Sequence, residues 1–187
     1  KYARDRNMWM SWVARQSPTN VATSGITQPP LLAEAVQRVG EALPTTQKIA
    51  FYKKMLPVIE AYHLWLYNER DPHKEGLALL IHPYETGLDN TPPWVEQQRE
   101  HSRPTWIALI DKLGLENAIN LVRRDTKKIP PEQRMLNVDA LMTWDSVLRL
   151  RRKHYDINKI LHRSLFAIED VGFNAIFVRN NTILQEI

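Results

Sequence analysis

The stretch Gln47-Lys48-Ile49-Ala50-Phe51-Tyr52-Lys53-Lys54-Met55-Leu56-Pro57-Val58-Ile59-Glu60-Ala61-Tyr62-His63-Leu64-Trp65-Leu66-Tyr67-Asn68-Glu69 carries apolar side chains at Ile49, Tyr52, Met55, Leu56, Ile59, Tyr62 and Leu66. Steps of three and four are the helical period, so the stretch predicts one long helix, kinked at Pro57. The same pattern runs outward in both directions: over 31–43 with Leu32, Ala35, Val36 and Val39 on one face, over 103–113 and on toward Val122, and over 140–153 with Leu141, Trp144, Val147, Leu148 and Arg151 in a stripe. Further helices are predicted over 158–168 and 170–187, with Asp170 as an N-cap, and over 7–16, where Trp9 and Trp12 would face the core. No segment alternates convincingly in the manner of a strand. The fold class is all-α.

Composition agrees with a soluble globular domain: 43% apolar, 25% charged, and a net charge of +4 over 187 residues. So mild a balance, with acids and bases interspersed, gives no reason to expect a nucleic acid or an anionic membrane as partner. The chain has no cysteine, which excludes disulfides and thiolate chemistry. No apolar run approaches the roughly 20 residues that span a membrane, and no signal-peptide pattern is present, so a cytoplasmic location is expected. The basic run 149–154 closes a helix, where cations suit the dipole.

Between the helices, His82-Pro83-Tyr84-Glu85-Thr86-Gly87-Leu88-Asp89-Asn90-Thr91-Pro92-Pro93-Trp94 packs two acids, two aromatics, three prolines and a glycine into one loop. Acids and rings on a loop carried by rigid helices mark a site. The six histidines make no metal-binding constellation, and no phosphate-cradling glycine loop, dinucleotide fingerprint or nucleophile elbow occurs. No metal or cofactor is expected. What remains is carboxylate chemistry. Glu85 and Asp89 share the loop, Tyr84 and Trp94 offer faces that stack on sugar rings, and Gln28, presented by Pro29 ahead of a helix, has an amide suited to reading hydroxyls. A small carbohydrate is the partner these groups suggest; the alternative is a loop whose acids merely cap neighbouring helices.

The motif resembles the general-acid segment of glycoside hydrolase family 63, in the mannosylglycerate and glucosylglycerate hydrolase branch, and is similar to the Glu-Ser-Gly-Trp-Asp pattern of trehalases. Thr27-Gln28-Pro29-Pro30, Glu69-Arg70-Asp71-Pro72 with Gly76-Leu77, and 166–176 agree with that branch, so the resemblance runs from about residue 24 to the end. It implies part of an (α/α)6 toroid and inverting hydrolysis of an α-glycosidic bond. It also implies Asp89 as proton donor, Glu85 binding sugar hydroxyls, and Gln28, Tyr84 and Trp94 lining the pocket. Pro93 and Val95 depart from the Arg and Asp of many family members, which leaves the sugar's identity open. The family's general base is a glutamate well downstream of the motif. Residues 1–187 are therefore expected to form a catalytic domain truncated at both ends, inactive alone and prone to self-association through exposed helix faces at the cut edge. The alternatives are a trehalase-like hydrolase and a non-catalytic helical binding module.

Overall fold

The computed structural model describes residues 26–88, 104–115, 120, 130–134, 136–162 and 166–187. Their helices are α1 (Leu32–Glu41), α2 (Thr45–Glu69), α3 (Thr105–Lys112), α4 (Asn137–Arg152), α5 (Ile157–Leu161) and α6 (Val171–Glu186), with short 3-10 turns at Pro83–Thr86 and Pro131–Gln133. The predicted helix over 7–16 lies outside the described residues. The long helix spans Pro57 and starts two residues earlier than its apolar period suggests.

Helices α1, α2 and α6 pack together, and α3 packs on α4. Ala33 and Val36 of α1, Ile59 of α2 and Ile183 of α6 form one apolar cluster. Leu66, Phe173 and Phe177 join Ala78, Leu80 and Phe166 in a second, which lies under the chain leaving α2. Ile59, His63 and Leu66 thus mark the buried edge of α2, while Ile49, expected on that face, is 56% exposed. Helix α1 has no side chain of its own at its N-cap. Asn180 of α6 supplies one, its Oδ1 accepting from Glu34 N at 2.9 Å while its Nδ2 donates to Ile176 O.

Two expected helices are shorter than predicted. Gly114, at φ +64° just past the C-cap Leu113, closes α3 at Lys112, so it does not run on toward Val122. The helix over 158–168 stops at Leu161, and Ile168 instead pairs with Leu80 in an antiparallel bridge, each N–H donating to the other's carbonyl. Asn174 extends that pairing with a side chain, its Oδ1 accepting from Ala78 N and its Nδ2 donating to Ala78 O. Asp170 caps α6 as predicted, accepting from Phe173 N at 2.6 Å. Together these contacts fix the extended segment 78–82 from which the acidic loop departs.

Gly40 tests the closeness of the α1–α2 packing. A Cβ built there would lie 2.1 Å from the Tyr52 ring, whose hydroxyl is tied to Gln37 O. Alanine would gain about 1 kcal/mol of helix propensity, against an overpacking cost of about 1–3 kcal/mol or more. Gly40→Ala is expected to be net destabilising by about 1–2 kcal/mol in urea unfolding, with Tyr52→Leu recovering the loss. A neutral Gly40→Ala would show that the ring moves away freely.

Candidate functional site

The acidic loop is built before any acid is considered. His82 caps the 3-10 turn, its side chain accepting from Tyr84 N at 3.2 Å. Thr86 pins the other end, donating to Pro83 O and accepting from Leu88 N. Gly87 follows at φ +73°, a backbone region that favours glycine, and a Cβ there would meet Pro29 Cγ at 3.0 Å. The loop and the segment carrying Gln28 are in van der Waals contact through that glycine.

Glu85 is 0% exposed. Its Oε1 accepts from Arg70 Nη2 at 2.7 Å and from Thr27 N at 3.0 Å; its Oε2 accepts from Ile81 N at 2.8 Å and from Arg70 Nη1 at 3.3 Å. Arg70, 3% exposed, stands at the C-terminus of α2 over the Trp65 ring, and its carbonyl accepts from Leu79 N. One carboxylate therefore joins four stretches of chain: the end of α2, the segment 78–82, the 3-10 turn and the Gln28 segment. Four internal donors match the acceptor capacity of a carboxylate. The expectation that Glu85 binds sugar hydroxyls meets a group with no exposed surface and no acceptor site to spare.

Gln28 is exposed, and its Nε2 donates to Tyr84 O at 3.0 Å. Its carbonyl accepts from the Tyr62 hydroxyl at 2.7 Å, and that hydroxyl in turn accepts from Thr27 Oγ1. Burial raises the Tyr62 phenol above its ordinary value, which keeps the donated proton in place. Tyr84 is half-buried, edge-on to the His82 ring at 4.9 Å. The structure thus brings Gln28, Tyr84 and Glu85 together. Asp89 and Trp94 lie outside the described residues, as do Pro93 and Val95. Sequence reasoning missed Arg70, Tyr62 and His82. A carboxylate in a run as apolar as 77–84 needs a nearby cation if buried, and Arg70 was the available signal.

His82 is fully buried between the loop and α4. Its Nδ1 faces a backbone N–H, so the ring proton sits on Nε2, which donates to Thr143 O at 3.2 Å. The contact to Tyr84 N requires the neutral ring, and burial pushes the pKa down to about 4 despite the Thr143 carbonyl, which would accept from the charged ring as well. A depressed folded-state value means that the unfolded chain binds the proton more readily. The stability that follows is full above about pH 6.5 and is lost as pH falls toward 4, by about 3 kcal/mol. His82→Asn keeps a cap and removes the titration. In urea midpoints measured from pH 7 to 4, the variant is expected to fall less steeply than wild type by about that amount; parallel curves would refute it.

Helix α4 buries the polar Asp139, Thr143, Asp145 and Ser146 together with Met142, Val147 and Leu150; of the expected stripe Val147 is fully buried, while Trp144 is 40% exposed. Asp145 accepts from Trp106 Nε1 and Arg149 Nε, binding α3 to α4. An open concavity of about 440 Å³ has Leu148, Arg151, Arg152 and His154 as its described lining, with none of the described loop residues 82–88 among them. Among the described residues no three His, Asp or Glu side chains are placed to hold a metal, and no helix is long and apolar enough to cross a membrane.

A mannosylglycerate hydrolase of Thermus thermophilus is 37% identical over 174 residues, which is 92% of this chain and 39% of the relative. A glucosylglycerate hydrolase of Mycolicibacterium hassiacum is 30% identical over 182 residues, 94% of this chain and 38% of the relative. The chain therefore spans about two fifths of the length of these relatives. The crystal structure of the GH63 mannosylglycerate hydrolase from Thermus thermophilus with Tris superposes with a TM-score of 0.74 at 35% identity, over 88% of this chain and 37% of that one; its complex with Tris and D-glycerate gives 0.72. The described helices are accordingly part of an (α/α)6 toroid. The family profile of the mannosylglycerate hydrolase MGH1-like glycoside hydrolase domain matches residues 3–187, and the chain belongs to that family, within glycoside hydrolase family 63.

Proposed function

We propose that the protein containing this chain hydrolyses an α-glycosidic bond between a hexose and a small polar partner of the glycerate kind, with inversion at the anomeric carbon. The observation that carries the reading is the loop 82–88, locked by Gly87 against Pro29 and by Glu85 to three other segments, so that the next residue, Asp89, leaves a fixed anchor. The names of the relatives supply the substrate class.

In this mechanism the Asp89 carboxyl protonates the glycosidic oxygen as the C1–O bond breaks. Water enters from the opposite face, its proton taken by a second carboxylate roughly 6.5 to 9.5 Å from the first. Glu85 cannot be that base, since its oxygens are committed to Thr27, Arg70 and Ile81. We assign the base to the part of the protein beyond residues 1–187. Gln28 reads hydroxyls with the donor and acceptor capacity it does not spend on Tyr84, and Tyr84 and Trp94 provide apolar walls for the ring. Residues 1–187 alone are expected to show no turnover.

The test is hydrolysis by the full-length protein of α-mannosylglycerate, α-glucosylglycerate and trehalose, with the first-formed anomer read by NMR. A β-anomer as first product, lost in Asp89→Asn, supports the reading. An α-anomer first, or an active Asp89→Asn, refutes it.

A further inference from the structure

We infer that Glu85 and Arg70 are positioning residues for the proton donor rather than sugar ligands, and that their ion pair fixes the turn 82–88, which Asp89 follows in sequence, against the end of α2; the inference rests on the reading of Asp89 as general acid. Three observations carry it. The carboxylate has no exposed surface and four internal donors, so a sugar hydroxyl has neither access nor a free acceptor site. Its partners come from three segments bordering the loop, including Thr27, the residue before Gln28. A second yoke runs alongside, from Gln28 Nε2 to Tyr84 O, so the two polypeptide stretches meet at adjacent residues on each side.

The consequence is mechanistic. Only three residues separate the pinned carboxylate from Asp89, and they include the two anchor points Thr86 and Gly87. Rotation of the Glu85 carboxylate, or loss of one donor, would shift the turn that leads to Asp89. A misplacement of about 1 Å at a reacting group costs roughly 10²-fold in rate. Because the pair acts through the acid, the loss should appear where protonation of the leaving group limits the rate and vanish where it does not. A sugar ligand would behave otherwise, because its loss weakens binding whatever the leaving group.

A glycosyl fluoride separates the two. Cleavage of its C–F bond releases fluoride without a proton on the leaving atom, while the attacking water still gives its proton to the base. In the full-length protein, Glu85→Gln is expected to lower kcat on the α-glycoside by roughly 10- to 100-fold with KM changed by less than about threefold. On the α-glycosyl fluoride of the same sugar its kcat should stay within about threefold of wild type. Arg70→Lys, which keeps the charge but loses the two-pronged grip, should show the same split to a smaller degree, and it serves if Glu85→Gln fails to fold by circular dichroism. Equal losses on both substrates, or a KM for the fluoride raised tenfold, would overturn the inference while leaving Asp89 as the acid. If Asp89→Asn itself retained full activity on the glycoside, both the reading and the inference would fall.

Discussion

Asp89→Asn in the full-length protein is expected to lower kcat on an α-mannosyl- or α-glucosylglycerate by roughly 10²- to 10⁴-fold, the range that a positioned general acid contributes. Asparagine has nearly the same shape as aspartic acid and keeps hydrogen-bonding capacity, but it has no proton to transfer. The substitution therefore removes one chemical ability and little else. KM should hold within a few-fold, because uniform binding is untouched, and the alkaline limb of the wild-type pH profile, where the donor loses its proton, should have no counterpart in the residual activity. Melting temperature should match wild type, which separates lost chemistry from lost structure. The glycosyl fluoride supplies the internal control, since its leaving group needs no donor and the variant should retain most of its turnover. A loss shared equally by both substrates would remove Asp89 from the role of acid and assign it to binding.

The helical class was legible because long amphipathic stretches carry their own period. Ile59 and Leu66 of the expected face are buried in α2, and Asp170 caps α6 from its place in the sequence. Where the reading failed, non-local contacts decided. Nothing between 158 and 168 announces that Ile168 will pair with Leu80, some ninety residues away, and that pairing ends the helical reading of the segment. Ile49 keeps the apolar period yet is exposed, because helical spacing tells which residues share a face and not what covers it. The candidate site divides in the same way. Gln28, Tyr84 and Glu85 were recognisable by residue type, and the structure places them side by side. The use made of Glu85 was not recognisable, because an acid on a loop looks the same whether it faces a sugar or a guanidinium fifteen residues upstream. Only burial and the four donors separate the two.

Arg70→Met is expected to destabilise the protein by about 3–5 kcal/mol, the cost of leaving one member of a buried pair without its partner. At roughly 2–4 °C per kcal/mol for a domain of this size, the melting temperature should fall by on the order of 10 °C. Methionine fills much of the space of the arginine stem and still covers Trp65, so lost packing contributes little. What remains is a carboxylate with zero exposure and two backbone donors, Thr27 N and Ile81 N, where there had been four donors and a full positive charge. Glu85→Gln alone takes the carboxylate charge from beside the guanidinium in turn. The double variant Arg70→Met, Glu85→Gln removes both charges and leaves an amide oxygen that can still accept from one of the two backbone groups. It should therefore lose less than the sum of the singles, with a coupling of about 2 kcal/mol between the two positions. Urea unfolding of the four proteins measures that coupling directly, and a value under about 0.5 kcal/mol would show that the two residues contribute independently. A large coupling would also explain why so polar a contact is kept beneath the loop. Two charges whose geometry is fixed by backbone donors hold four segments in one arrangement, where apolar side chains of similar volume would allow the loop to slide.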